Sequence, residues 1–298
     1  MRHLMPLLAV SALVLSTAAA QADLGDQLAK LLPDDGAASD VFGISVAISG
    51  ATTIAGANGD DDNGSSSGSA YLFDTTTGTL IAKHLPNDGA AGDNFGISVA
   101  ISGPTAIVGA WWDNDNGADS GSAYLFETAT GRQIAKLLPN DGTVGDQFGW
   151  SVAISGATAI VGAYQDDDNG DTSGSAYLFD TTSGRQVAKL LAKDGGADDR
   201  FGWSVAISGA PGKETAVVGA LRDDDNGTDS GSAYLFDAAA PGTCPWDLDD
   251  NAVVGASDLL ALLASWGPCK GCPADFDGNG NVGASDLLAL LANWGPCP

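Results

Sequence analysis

Glutamate is almost missing from this chain: of 38 acidic residues only Glu127 and Glu214 are Glu. A helical surface carries much of its acid as Glu, whereas Asp favours turns, caps and calcium loops, so the scarcity argues against a mostly helical protein. Basic residues are few as well, 12 in all, and the formal net charge is −26. Such a surface repels nucleic acid and anionic lipid, which excludes both as partners. The only histidines are His3, at the start of the N-terminal apolar segment, and His84, which leaves little for histidine acid-base catalysis. No cysteine precedes Cys244, so thiol chemistry is confined to the tail. Beyond the first 22 residues no apolar run is long enough to span a bilayer.

The N-terminus, "MRHLMPLLAVSALVLSTAAAQADLG", has a basic start at Arg2, an apolar stretch and small residues before Ala20-Gln21-Ala22. It has the form of a signal peptide over residues 1–22, which predicts a secreted or cell-surface protein with no membrane span after cleavage. An oxidising compartment makes the four cysteines readable as disulfides.

What the chain has in abundance is glycine, 41 residues, and internal repetition. Phe-Gly recurs at Phe42-Gly43, Phe95-Gly96, Phe148-Gly149 and Phe201-Gly202, and "SAYLF" begins at Ser69, Ser122, Ser175 and Ser232. The third copy holds four strand-like segments, "FGWSVAISG", "TAIVGAY", "GSAYLFD" and "RQVAKLL", each bounded by Gly, Asp, Asn or Ser. Four such strands make one antiparallel sheet, the size of a propeller blade. The fourth copy lacks its "AKLL" strand, and the missing segment stands near the N-terminus in "DLGDQLAKLLPDDGAASD". The expectation is an all-β, four-bladed β-propeller of about 53-residue repeats over residues 23–239. It has sixteen strands, with 27–32 completing the fourth blade; a solenoid or open stack is the alternative.

Phe-Gly paired with a downstream "VGA", as in Val161-Gly162-Ala163, resembles the FG-GAP repeats of integrin-type propellers. In those repeats the calcium loop lies between the Phe-Gly and Gly-Ala strands. Here only the tight turn of "ISGATAI" occupies that place, so that site is not carried over. The aspartates instead follow the Gly-Ala strand, at 60–64, 113–117, 166–170 and 223–227. They read as solvated acidic turns or as weak cation sites.

From Cys244 the pattern changes. After a linker over 240–243, "CPWDLDDNAVVGASDLLALLASWGPC" is followed by "CPADFDGNGNVGASDLLALLANWGPC". In the second copy Asp275, Asp277, Asn279, the Asn281 carbonyl and Asp286 fall at ligand positions of an EF-hand-type loop, with Gly280 at the sharp turn. The first copy offers Asp247, Asp249, Asn251, the Val253 carbonyl and Asp258, but has Ala252 in place of glycine, which predicts weaker binding of Ca2+. Each loop runs into one short helix that Ser257 or Ser285 can cap and that Gly267 or Gly295 ends. A loop plus exiting helix, twice, resembles the dockerin module over residues 244–298. That resemblance implies a cohesin-like scaffold or other cell-surface partner. Ala256-Ser257 and Ala284-Ser285 stand at the family's contact positions and resemble its small, hydroxylated pair, whereas Ala264 and Ala292 stand where many dockerins are basic. A calcium-stapled cap is the alternative role. Cys244, Cys269, Cys272 and Cys297 allow three pairings; Cys244 with Cys297 and Cys269 with Cys272 is favoured, and Cys244 with Cys269 and Cys272 with Cys297 stays open.

Catalysis needs a singular constellation, and the carboxylates recur in every copy. His84 stands where other copies have Leu and reads as a surface variant. The irregular feature is aromatic: Trp111-Trp112, with Trp150 and Trp203, can form a carbohydrate-stacking patch. The chain is therefore read as a non-catalytic binding or adhesion protein; the competing class is a carbohydrate-active accessory or glycoside hydrolase displayed on a cohesin scaffold.

Overall fold

A computed structural model describes residues 24–209, 213–239, 246–248, 253–269, 272–277 and 279–296. Contacts divide the chain into Met1–Lys30 and Leu31–Pro298. Of the first unit only 24–30 are described, all exposed and without strand.

The second unit holds four antiparallel sheets in chain order. Strands β1 (Val46–Ser49), β2 (Thr52–Ala57), β3 (Ser69–Asp74) and β4 (Leu80–His84) form the first sheet. The second has β5 (Ser98–Ser102), β6 (Thr105–Ala110), β7 (Ser122–Glu127) and β8 (Gln133–Leu137). The third has β9 (Ser151–Ser155), β10 (Thr158–Ala163), β11 (Ser175–Asp180) and β12 (Gln186–Leu190). The fourth has three strands, β13 (Phe201–Ser208), β14 (Thr215–Ala220) and β15 (Ser232–Asp237). Neighbouring sheets meet through their first strands, β1 beside β5, β5 beside β9 and β9 beside β13.

Face-to-face packing explains the residue pattern. β3, β7 and β11 are buried from Ser to Phe because both faces of these strands are covered. In each copy the Phe of Phe-Gly stands edge-on against the Tyr and Phe of that copy's "SAYLF", with ring centroids 5.5–5.9 Å apart. The "VGA" glycine lets adjacent sheets touch. A Cβ on Gly109 would lie 1.9 Å from the carbonyl oxygen of Gly149, and one on Gly162 would lie 2.0 Å from that of Gly202.

Two expectations are corrected. The sixteenth strand is not formed: residues 26–33 carry no strand, and among the described residues the fourth sheet ends at β15. Strands β4, β8 and β12 are each delivered by a tight turn from the strand before, as Asp74 shows by accepting the N–H groups of Thr76 and Thr77. Segment 27–32 has no such hairpin, so its pairing would depend wholly on a long-range contact. His84, expected at the surface, is buried against the ring of Phe126 at 4.6 Å. It occupies the place of Leu137 and Leu190, which seal one sheet against the next.

The tail, also in the second unit, pairs its two copies about a local twofold pattern. β16 (Val253–Val254) meets β19 (Gly295–Pro296), and β17 (Gly267–Pro268) meets β18 (Asn281–Val282). Helices α1 (Ala256–Ala264) and α2 (Ala284–Ala292) pack together with Leu262, Leu290, Val254 and Val282 at the centre. Gly255 and Gly283, not Ser257 and Ser285, hold the N-cap positions. There the carboxylates of Asp258 and Asp286 accept the glycine N–H.

Candidate functional site

The acidic turns face inward at their first residue. Asp60, Asp113, Asp166 and Asp223, which begin the four turns, are buried rather than solvated. Each accepts the hydroxyl of the Tyr in its own "SAYLF" strand: Tyr71, Tyr124, Tyr177 and Tyr234. In three copies the cation is already supplied by the protein. Lys83 bridges Asp35, Asp60 and Asp62; Lys136 bridges Asp88, Asp113 and Asp115; Lys189 bridges Asp141, Asp166 and Asp168. Burial alone would drive the Lys83 ammonium toward neutrality, but three carboxylates outweigh it and raise its pKa well above the usual range. Burial, with Asp60 and Asp35 as neighbours, pushes the Tyr71 hydroxyl up to about 12. These turns are internal ion clusters. Sequence reasoning missed the lysines because "AKLL" reads only as a strand.

The residues that vary among the otherwise repetitive copies fall together. After the "GA" of the second strand stand Asn58, Trp111, Tyr164 and Leu221; before each Phe-Gly stand Val41, Asn94, Gln147 and Arg200; after it stand Ile44, Ile97, Trp150 and Trp203. Two of these three places become aromatic in later copies, at Trp111 and Tyr164 and at Trp150 and Trp203, and the third carries Arg200 in the fourth copy. Trp111 stacks on Trp112 at 4.6 Å and meets Trp150 at 4.9 Å, and Trp150 meets Trp203 at 4.8 Å. Tyr164 packs against both Trp150 and Trp203, and the Arg200 guanidinium lies 5.9 Å from the ring centres of Tyr164 and Trp203. Arg200, like Asn94 and Gln147, is held at positive φ, a conformation that non-glycine residues adopt rarely. Trp112 is exposed, while Trp111, Trp150 and Trp203 are half-buried. The Trp111 indole N–H and the Gln147 side-chain oxygen are buried without a partner. Beside this row runs a groove of 420 Å³ lined by Ile44, Ile97, Trp150 and Trp203 among others.

All four predicted tryptophans are thus brought into one row. Tyr164 and Arg200 belong to it and were missed; comparing the residue before each Phe-Gly across the copies would have found Arg200. Aromatic faces beside a guanidinium can stack on the apolar faces of a sugar and meet its hydroxyls.

In the tail, Asp275, Asp277 and Asp286 converge, with a carboxylate oxygen from each lying within 4.8 Å of the others. Asp286 is fully buried; burial raises its pKa, but the N–H groups of Gly283, Asp277 and Phe276 outweigh that and hold it below the usual carboxylate range. The N–H of Asn279 donates to Asp275 and Asp277, and that of Gly280 to Asp275, with Gly280 at φ 87°. The loop is therefore wound with its oxygens inward, a donor set that suits a hard cation such as calcium. Asn281 pairs in β18 through its backbone. In the first loop Asp258 is buried and accepts the N–H groups of Leu248 and Gly255, Asp247 is half-buried and Val253 is exposed. Asp249, Asn251 and Ala252 lie outside the described residues. Cys269 and Cys272 form a disulfide, whereas Cys244 and Cys297, and so their favoured pairing, lie outside the described residues.

A family model described as FG-GAP repeat matches residues 26–73, 79–126, 132–179 and 185–236. No curated protein matches the chain. Among solved structures it is similar to the computationally designed Ika4 protein, with 18% identity over 72% of this chain and 98% of that one at a TM-score of 0.41. It is also similar to the computationally designed Ika8 protein, with 15% identity over 65% of this chain and 45% of that one at a TM-score of 0.37.

Proposed function

The chain belongs to the FG-GAP repeat family, and from that premise we propose that it is a secreted, non-catalytic binding protein of the propeller type. Its aromatic row takes carbohydrate or a similar surface ligand, and its calcium-binding, dockerin-like tail tethers it. The observation that carries this reading is the row itself. In a chain built of near-copies, the positions that depart from the repeat converge on Trp112, Trp111, Trp150, Tyr164, Trp203 and Arg200. A binding role is further supported by the fate of the blade carboxylates. In three copies they are committed to Lys83, Lys136 and Lys189 and to tyrosine hydroxyls, which leaves them poorly placed to serve as a general acid and a nucleophile.

For the tail, Asp275, Asp277, Asn279, the Asn281 carbonyl and Asp286 would hold one Ca2+, and Asp247, Asp249, Asn251, the Val253 carbonyl and Asp258 a second. Each ion would neutralise crowded carboxylates and link binding to folding. The tether reading draws on a matched pair of exposed apolar faces, Leu260, Leu263 and Trp266 on one copy and Leu288, Leu291 and Trp294 on the other. Paired patches of this kind mark protein-binding surfaces, here for a cohesin-like scaffold or a cell-surface component. Among the described residues no helix is long and apolar enough to cross a membrane.

A glycan array probed with the purified chain tests the binding role. Retained signal should be lost when Trp111→Ala and Trp112→Ala are combined; an unchanged array would remove the aromatic row from consideration. Calcium-dependent capture by a cohesin-like domain tests the tether separately.

A further inference from the structure

Among the described residues, the two ends of the sheet array carry the two halves of a junction that no strand completes. At each internal junction the glycine before "SAYLF" bridges the next copy's Phe: Gly68 to Phe95, Gly121 to Phe148 and Gly174 to Phe201. A Cβ on Gly96, Gly149 or Gly202 would lie 2.2–2.3 Å from the carbonyl oxygen of Ser69, Ser122 or Ser175. These glycines are required by close approach of backbone to backbone. Gly43, the same residue of the first copy, has nothing within 4 Å of such a Cβ, and Gly219 meets only Ser204, its own sheet's neighbour. The crowding that demands glycine is absent at both ends.

Burial shows the same contrast. Leu235 is 76% exposed, whereas its equivalents Leu72, Leu125 and Leu178 are at most 4% exposed. At the other end Val46 and Ile48 are 65% and 68% exposed, whereas Val99 and Ile101 are buried. Charge completes the match. Asp194, Asp223 and Asp225 are the fourth copy's counterparts of the clusters that Lys83, Lys136 and Lys189 neutralise, yet among the described residues no basic side chain bridges them. Asp223, with Asp194 and Asp199, raises the pKa of Asp225. The remaining copy of that lysine is Lys30, exposed in segment 27–32.

We propose that these two ends form an interface between two copies of the chain, each copy's segment 27–32 adding as the outer strand of the other's fourth sheet and placing Lys30 among Asp194, Asp223 and Asp225. A second copy is the occupant because one copy leaves both ends open to solvent while its four sheets follow one repeating step. A second copy presents the same two ends in complementary order, and such a heterologous contact closes when the rotation completes a turn. Two arrays of four sheets give eight, within the range propellers use, whereas a third copy would exceed it. This inference is independent of what the aromatic row binds.

The register follows from the internal sheets, where Leu72 faces Ala82, Leu125 faces Ala135 and Leu178 faces Ala188. Leu235 of one copy should therefore face Ala29 of the other, at a separation suited to a disulfide. The purified chain carrying Ala29→Cys and Leu235→Cys is oxidised and weighed under non-reducing, denaturing conditions, with peptide mapping to distinguish the new bond from native ones. A new bond in a species of twice the chain mass is the expected result. The same bond at single-chain mass means that the chain closes on its own strand and overturns the proposal, as does a ladder of higher multiples. Should the cysteine variant fail to fold, sedimentation equilibrium decides: the unaltered chain should be a dimer, Lys30→Glu should weaken association by about tenfold or more, and Asp225→Lys added to it should restore association. A chain that sediments as a monomer overturns the proposal.

Discussion

The ammonium of Lys136 lies 2.9 Å from a carboxylate oxygen of Asp113 that also accepts the hydroxyl of Tyr124, so one buried acid is held by a cation and a phenol at once. Replacing Lys136 by Met removes an ammonium that also lies 5.2 Å from the Tyr124 ring centre and leaves Asp113 buried and uncompensated. Breaking a buried pair from one side costs about 3 kcal/mol. Urea unfolding should show a loss of that order. Burial would raise the pKa of Asp88, but Lys136 outweighs it and holds that carboxyl below its usual value. A depressed carboxylate contributes stability that is present above its unfolded pKa and lost as pH falls through the folded one. The unaltered chain should therefore lose stability below about pH 4 more steeply than Lys136→Met does.

His84 gives the opposite sign of mutational effect. Burial depresses its pKa, and neither ring nitrogen makes a hydrogen bond, although the Gly131 backbone lies beside the ring. A base with a lowered folded pKa contributes stability that is lost as pH falls below its unfolded value, about 6.5. His84→Leu restores the residue of the other copies and removes two buried unpaired atoms. It should stabilise by about 1 kcal/mol at pH 7, and by more at pH 5.5. Thermal unfolding at the two pH values checks this, and an equal change at both would contradict the assignment of a buried neutral ring.

Gly109 and Gly219 occupy the same place in their copies but differ in what stands opposite. Gly109→Ala sets a Cβ 1.9 Å from the Gly149 carbonyl oxygen, a backbone atom that cannot move alone, whereas Gly219→Ala meets only the Ser204 side chain at 2.6 Å. Measured at dilutions where copies do not associate, the first substitution should cost on the order of 3 kcal/mol of chain stability and the second less than about 1. Equal losses at both sites would mean that contact between sheets is not what fixes the glycine.

Much of this was legible in the sequence because repetition is itself evidence. Fifteen of the sixteen anticipated strands form, since a period of about 53 residues with turn residues at fixed places leaves little freedom. The aromatic row was legible for a related reason: Trp111, Trp112, Trp150 and Trp203 break the repeat. What was not legible depended on partners far apart in sequence. Asp113 reads as a turn residue until Lys136 and Tyr124 are seen to converge on it. His84 reads as a surface residue until Phe126 of the next sheet covers it. Segment 27–32 has a strand's sequence, but its strand needs an edge to pair with.

The tail offers the sharpest test of metal chemistry. Residues 244–298 carry seven aspartates, and those of the second loop crowd their oxygens together. Burial works to raise the pKa of Asp286, yet the Gly283, Asp277 and Phe276 N–H groups hold it low, which keeps it ionised and ready for a cation at neutral pH. Binding at that loop should therefore change little between about pH 5 and 8 and fall away below about pH 4. Asp277→Asn removes a charge but no backbone partner of Asp286, and should weaken calcium binding roughly tenfold or more at this loop. Ala252→Gly, which gives the first loop the residue that Gly280 supplies in the second, should strengthen the first loop alone. Calorimetric titration of the oxidised chain with calcium checks both, with circular dichroism reporting any gain in α1 and α2. Equal affinities at the two loops in the unaltered chain, or a titration unmoved by Asp277→Asn, would show that these carboxylates serve the fold rather than a metal.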